Sequence, residues 1–369
     1  MRGTLLSLVL ACAGCSSDDA QAIDAGAIDA PVTIDTLPID AQACFGTLTR
    51  VCLPSAPTGT VILAGTLDTA TDPRCTVIED PTAGFLCVIA GGNLSIEATQ
   101  VTGSRPLVLV ASGSITLEDA IDAGSRRTPL KLGPGARALP CAASQVGLDG
   151  SGTAGGGGAG GSFGSPGGAG GKSAGATPTL GGTPNPVVTV SSLRAGCSGG
   201  TGGGGSSTGS GTAGASGGAI ALYAGSQIAI PATGAVYASG GGGWGAGGGG
   251  GGGSGGLIVL EAPAIQILGK VVANGGGGGG GGEVQPGDPG ADGTTAMHAV
   301  AALGGGAQPP NTGGTGGDGA ALAIEAEGGG APALAGTGGG GGGGGGTGII
   351  WIKGLVSGDG PMSPAPALH

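Results

Sequence analysis

Aromatic residues are nearly absent: the 369-residue chain holds two Trp, two Tyr and three Phe. Charge is scarce as well, at 9%, where a globular chain carries about 25%. The 12 Lys and Arg are outnumbered by 23 Asp and Glu, so the basic footprint of a nucleic-acid binder is missing. His occurs twice. Glycine at this density argues against a long coiled coil and against an ordinary helical enzyme. What is there instead is glycine: 96 residues, about a quarter of the chain against a usual ~7%. The glycines come in runs rather than at every third position, which excludes collagen. A mean hydropathy of +0.31 and repeated β-branched runs exclude a highly charged disordered chain.

The N-terminus reads as a targeting segment. Arg2 precedes a short apolar core, Leu5-Leu-Ser-Leu-Val-Leu-Ala11, and then Ala13-Gly14-Cys15. The core is too short to span a bilayer, which takes about 20 residues. Small residues before a Cys resemble a lipoprotein lipobox, with 1–14 removed and Cys15 acylated. The resemblance departs from the pattern in placing Cys12 where Leu is preferred, and Cys12 is the alternative acceptor. Ser16 follows Cys15 in place of Asp, which by analogy favours outer-membrane sorting. More than one acyl chain would anchor the protein stably. A plain secreted protein cut at Ala13-Gly14 is the rival reading.

Residues 15–43 carry six Asp and no Lys or Arg, with Ile-Asp-Ala at 23–25, 28–30 and 39–41. Such sequence buries too little apolar surface to fold alone. It reads as a disordered tether spanning roughly 30 Å. Six cysteines follow: Cys44, Cys52, Cys75, Cys87, Cys141 and Cys197. An even number in an exported chain implies disulfides. Sequential pairing closes the shortest loops and is the expected connectivity, although six cysteines allow about 15. Among these six no C-x-x-C spacing is present and only His298 and His369 could assist, so no metal site is expected.

The body is a weak repeat. Ser216-Gly-Gly-Ala-Ile-Ala-Leu-Tyr-Ala, Gln227-Ile-Ala-Ile and Gly234-Ala-Val-Tyr-Ala-Ser-Gly recur as Ser254-Gly-Gly-Leu-Ile-Val-Leu-Glu-Ala, Ala264-Ile-Gln-Ile and Gly269-Lys-Val-Val-Ala-Asn-Gly. The offset is 38 residues, shrinking to 35. Earlier copies begin at Leu107-Val-Leu-Val-Ala and Cys87-Val-Ile-Ala, and a last fragment is Gly348-Ile-Ile-Trp-Ile-Lys. Each unit is two or three short strands that cannot bury their apolar face alone, which is the logic of a solenoid. We expect an all-β chain, a parallel β-helix with Ile220, Leu222, Ile228, Ile230, Val236, Ile258, Leu260, Ile265, Ile267 and Val271 inward. An antiparallel β-sandwich is the alternative. The glycine runs at 247–253, 275–282 and 338–346 read either as flexible solvated loops or as packed polyglycine II helices, a conformation also used by glycine-rich phage adhesins and some antifreeze proteins.

Catalytic motifs fare poorly. G-x-G-x-x-G matches are expected by chance at this composition. Gly171-Lys172-Ser173 resembles the end of a P-loop, but Pro166 stands where its first glycine belongs. Gly252-Gly-Ser254-Gly-Gly256 matches a nucleophile elbow without the helix an elbow needs, and His298 is the single internal His for a triad. Gly313-Gly-Thr-Gly-Gly-Asp318-Gly-Ala is one isolated calcium nonapeptide, where tandem copies are needed. Glu118, Asp119 and Asp122, with Arg126 and Arg127, are the one acidic and basic cluster a carbohydrate-active β-helix enzyme could use; an acidic turn is the plainer reading.

The whole chain resembles a set of glycine-rich surface lipoproteins of myxobacterial type, a family with no characterised reaction. Cys44-Phe-Gly-Thr with Cys52, 66–73 before Cys75, Cys87-Val-Ile-Ala, Thr102-Gly-Ser-Arg-Pro106-Leu-Val-Leu and Leu193-Arg-Ala-Gly-Cys197 carry the resemblance, which implies a cell-surface location. The expected organisation is a signal (1–14), a tether (15–43), a disulfide-braced β region (44–131), a Gly/Ser-rich insertion (132–218), solenoid repeats with glycine tracts (219–357) and a tail (358–369). The expected role is structural or adhesive, without a cofactor or nucleic acid and without catalysis. The partners would be the membrane, through the lipid, and a surface glycan or envelope protein. A carbohydrate-active enzyme and an inert coat component are the alternatives.

Overall fold

Residues 42–136, 141–150, 154–174, 177–205, 209–293, 298–308, 312–333 and 338–369 are described by a computed structural model. The signal, both acyl-acceptor candidates Cys12 and Cys15, and the tether up to residue 41 lie outside these residues.

The chain is all-β. Its strands are β1 (Ala43–Phe45), β2 (Val51–Leu53), β3 (Thr60–Asp68), β4 (Thr76–Asp80), β5 (Gly84–Gly91), β6 (Asn93–Thr102), β7 (Leu107–Ala111), β8 (Ser114–Leu117) and β9 (Ala120–Asp122). They continue with β10 (Ala219–Ala224), β11 (Gln227–Ile230), β12 (Ala235–Tyr237), β13 (Leu257–Ile267), β14 (Lys270–Val272), β15 (Ile349–Ser357), β16 (Met362–Ser363) and β17 (Ala367–Leu368). β1 and β2 form a separate hairpin, and the rest form one 15-stranded sheet. Only β1–β2 and β4–β5 pair antiparallel; the other strand pairs are parallel. An antiparallel sandwich is therefore not what forms.

The parallel pairs fall into three columns. Column A stacks β5, β7, β10, the first half of β13, and β15. Column B stacks the first halves of β3 and β6, then β8, β11, and the second halves of β13 and β15. Column C stacks the ends of β3 and β6, then β9, β12, β14 and β16. Register is set by apolar stacking, since a one-residue slip would turn every inward side chain outward. Thus Leu109, Leu222, Leu260 and Ile352 are successive partners in column A, and Ile115, Ile228 and Ile265 in column B. All ten residues expected inward lie in this one core cluster.

Column A is buried on both faces. Its strands read as continuous apolar runs, as parallel strands covered on two sides do. Behind it a second cluster joins Val108, Val110, Tyr223, Leu257 and Val259 to the β1–β2 hairpin and to Phe163 and Leu193. Column B has one solvent face and alternates accordingly.

All long insertions leave at one corner, between columns C and A: 123–218, 238–256 and 273–348. Their glycine tracts are buried and bonded to one another. In 247–256, the amides of Gly249, Gly252 and Gly255 donate to Gly340, Gly343 and Gly346. Those of Gly248, Gly251 and Ser254 donate to Gly203, Gly200 and Cys197, and those of Gly250, Gly253 and Gly256 to Trp244, Gly241 and Ala238, all at 2.7–3.0 Å. The carbonyls of the same tract accept from 158–161, 211–217 and 276–282 with the same period of three. One segment is thus held by six neighbours. Backbone φ does not require glycine here, since none of these residues is in the left-handed region. The missing Cβ does: at Gly249, Gly252 and Gly255 it would fall inside the carbonyl oxygens of Gly279, Gly276 and Ala273. The flexible-loop reading of these runs is overturned, because amides in a solvated coil would bond to water.

Disulfides join Cys44 to Cys52, Cys75 to Cys87 and Cys141 to Cys197. They pin the β1–β2 hairpin, the β4–β5 hairpin and the start of the glycine-rich region. Three such bridges fit an oxidising, extracellular environment. Among the described residues no helix is long and apolar enough to cross a membrane.

Candidate functional site

The outward face of column B carries uncharged side chains along most of its length, and the exposed Glu97 and Glu118 stand at one end of it. Two ranks run across six strands. One is Thr60, Asn93, Ser114, Gln227, Ala264 and Leu355; the other is Ile62, Ser95, Thr116, Ala229, Gln266 and Ser357. All twelve are exposed or half-exposed. Their spacing is fixed by the ladder, at about 4.8 Å between strands and about 6.6 Å between ranks. Asn93 Oδ1 accepts from both the amide and the hydroxyl of Ser114, each at 2.9 Å, which holds the N-terminal end of one rank.

A buried cluster of charged side chains lies on column C. Asp122 is 5% exposed. It accepts from Arg126 Nη2, from the Gly124 amide at 2.9 Å, and pairs with Lys131 Nζ at 3.1 Å. Lys131 Nζ also donates to the Asp122 carbonyl at 2.6 Å. Burial pushes the Lys131 ammonium below its usual pKa, against the pull of Asp122. Asp122, Arg126, Thr66, Thr99, Gln100 and Tyr237 line a groove of about 370 Å³. Burial, then the Asp122 and Asp119 carboxylates, raise the Tyr237 phenol. Glu118 and Asp119 are exposed on the adjoining turn, and Asp119 Oδ1 accepts the Ala120 amide at 2.6 Å. The groove therefore holds one carboxylate, already bridged by two cations. A glycosidase needs two acting on opposite sides of a bond.

Sequence reading picked out Asp122, Arg126 and Arg127 but missed Lys131. The Arg126–Lys131 bridge folds the loop back on itself, and no local pattern announces that. Arg127 turns away from the groove. Its amide donates to Asp292 Oδ1 at 2.9 Å, and its guanidinium lies 4.8 Å from the centroid of the Trp244 ring.

Residues of the remaining motifs make contacts within the fold. Ser254 is buried; its Oγ accepts the Cys197 amide at 2.9 Å and donates to the Gly255 carbonyl at 3.0 Å. The His298 carbonyl accepts from Asn274 Nδ2. Ser173 Oγ sits 2.6 Å from Thr179 Oγ1. Asp318 Oδ1 accepts the Gly304 amide at 2.7 Å. Among the described residues no group of three His, Cys, Asp or Glu is arranged to hold a metal.

A second, larger cleft of about 1120 Å³ opens between the β4–β5 hairpin and residues 185–196. Arg105 and Arg194 line it, with hydroxyls from Thr82, Ser104, Thr189, Ser191 and Ser192. Comparison with family models, curated proteins and solved structures finds no match to this chain.

Proposed function

We propose that the protein is an exported, lipid-anchored binding module of the bacterial envelope, with a structural or adhesive role. The scaffold is read as a parallel β-solenoid carrying a polyglycine II array at one corner. Three registered columns support the first part, and period-three bonding without side chains supports the second. Acylation at Cys15 and the tether would hold the scaffold off the outer membrane, as the resemblance to glycine-rich surface lipoproteins implies.

The observation that carries the binding role is the twelve-residue face of column B. Two ranks without charge have little to desolvate, and rigid ladder spacing lowers the entropy lost on binding. Such a surface suits a flat, neutral, hydroxyl-rich partner such as an extended surface glycan. Binding of the full chain to whole cells and to insoluble neutral polysaccharides tests this. Thr116→Glu and Gln266→Lys should each abolish binding while leaving the melting temperature within ~2 °C, because both side chains point to solvent. Unchanged binding in both variants would sink the assignment of this face. Loss of acyl label in Cys15→Ala tests the anchor separately.

A further inference from the structure

We infer that the cleft between the β4–β5 hairpin and residues 185–196 is a second binding site, which takes an extended, uncharged segment of a partner polypeptide by strand addition. One wall of the cleft is strand-like but unpaired. Residues 181–190 run without a bend. Val188 and Val190 pack against the second core cluster, while Val187 and Thr189 are exposed. That alternation is the period of a half-buried strand, yet no strand lies beside it. The Val188 amide donates to the Phe163 carbonyl at 3.2 Å. Among the described residues, the amides of Val187, Thr189 and Val190 and the carbonyls of 187–190 have no partner in the fold. In an extended chain successive amides point to opposite sides, so those of Val187 and Thr189 point away from Phe163. Such a row of unpaired backbone groups is a template for another strand.

The opposite wall is also a strand edge. Gly84 and Phe85, at the start of β5, line it. They pair with β4 on one side, and on the other the ladder with β7 begins only at Cys87. Both walls are held in place. Cys75–Cys87 braces the hairpin and Cys141–Cys197 the opposite side, and the Leu193 amide donates to Thr49 Oγ1 at 2.7 Å. Preorganisation of this kind reduces the cost of binding.

Charge does not select the occupant. Arg105 Nη1 donates to the carbonyls of Thr69 and Ala70 at 3.2 and 3.1 Å. Arg194 donates to the Ala195 carbonyl and to the Cys141 and Cys197 sulfurs. The exposed Glu79 stands at the same rim, so a charged segment gains no net attraction here. What the lining adds is neutral: hydroxyls of Ser104, Thr189, Ser191 and Ser192, and Phe85, 57% exposed. It suits a segment that alternates hydroxyl and aliphatic side chains, since a strand shows successive side chains to opposite faces. Residues 187–190 span about 13 Å at ~3.3 Å per residue, room for a short extended segment. This site takes a polypeptide and stands whether or not the face of column B binds a glycan.

Screening the full chain against a bead-displayed library of end-blocked heptapeptides, built from Ser, Thr, Val, Leu, Asp and Lys, tests the inference. Enriched sequences are expected to alternate hydroxyl and aliphatic residues and to lack Asp and Lys. On the tightest binder, N-methylation of alternate amides should weaken binding at least tenfold in one register and leave it unchanged in the other, because a strand turns every second amide away from its partner. In hydrogen exchange the Thr189 amide should be unprotected in the free protein and slowed at least tenfold by that peptide. Thr189→Pro deletes this donor and Phe85→Ala the apolar wall, and each should weaken binding at least tenfold. Melting curves confirm folding; Phe85 is exposed, so that variant keeps the test valid if Thr189→Pro proves unstable. No enriched sequence, enrichment of charged sequences, indifference to N-methylation in both registers, or wild-type affinity in the folded variants overturns the proposal. Results on neutral polysaccharides with the Thr116 and Gln266 variants remain independent of all these outcomes.

Discussion

At single residues, glycine acts here by what it lacks. Alanine in a flexible loop usually stabilises by about 0.4–1 kcal/mol, because it restricts the unfolded chain. In a packed array the sign reverses. Gly252 has the Gly276 carbonyl where a Cβ would go, whereas a Cβ at Gly241 would meet its nearest atoms, in Ala215 and Asp292, at 3.6 Å, an ordinary contact. Gly252→Ala should therefore lower the melting temperature by several degrees, and Gly241→Ala should leave it level or raise it. Calorimetric scans of the two variants check this; equal effects would contradict the packing. Acid stability rests on other residues. A hydrogen bond from the Arg74 side chain holds Asp72 below the usual carboxylate pKa. Burial alone would raise Asp80, but the bonds from Ala83 and Thr82 outweigh it and hold it low as well. A carboxyl depressed in the folded state stabilises above its unfolded pKa of about 3.9, and that contribution is lost as pH falls through the folded value. Melting temperature should thus be flat from pH 7 to about 4 and fall below that, with a shallower fall in Asp80→Asn. An unchanged acid limb in that variant would assign the loss elsewhere.

Elements divide into those whose register is written in side chains and those whose register is not. The strands belong to the first kind. Alternation of Ile220 and Leu222, repeated at Ile258 and Leu260, was legible because period two and a near-constant offset leave one consistent face inward. The pairing of neighbouring cysteines was legible for a similar reason, as short loops. Double burial of column A was written in the runs Leu107–Ala111 and Leu257-Ile-Val-Leu, but what covers it was not, because Phe163 and the β1–β2 hairpin arrive from distant sequence. Glycine tracts are the second kind. Identical residues carry no mark of which amide faces which neighbour; the phase is set where each tract enters column A, at Gly218, Gly256 and Gly348. Deleting the single residue Gly250 should therefore keep 251–256 in phase with that anchor and misassign the donors on its other side, Gly247, Gly248 and Gly249. The expected result is a loss larger than that of a typical Leu→Ala core change, about 2–5 kcal/mol, whereas a flexible connection would lose only tenths of a kcal/mol. Denaturant unfolding of the deletion variant beside Leu260→Ala gives the comparison, and a loss smaller than that of Leu260→Ala would refute phase control.

For the molecule as a whole, the strand columns and the glycine array share their backbone. Column C strands run directly into outgoing tracts at Ala238 and Ala273, and returning tracts run into column A at Ala219, Leu257 and Ile349. Neither part can open without pulling on the other, so the two should unfold as one cooperative unit. Candidate binding surfaces were less legible in the sequence than this framework. The neutral face of column B exists only after stacking aligns Ser114, Gln227 and Ala264, and the arginine cleft only after 185–196 folds against the hairpin. Hydrogen exchange of the native protein measures the cooperativity directly. Amides in ordinary glycine loops exchange at nearly the free-peptide rate. Those of Gly249, Gly252, Gly253 and Gly255 should instead be slowed at least about 10³-fold, matching Leu222 and Leu260 in column A, since both would exchange only through global opening. Rising denaturant should bring tract and strand amides to a common exchange isotherm. Tract amides that exchange early, while Leu222 and Leu260 remain protected, would mean that the array opens on its own and that the strand columns alone carry the stability of the fold.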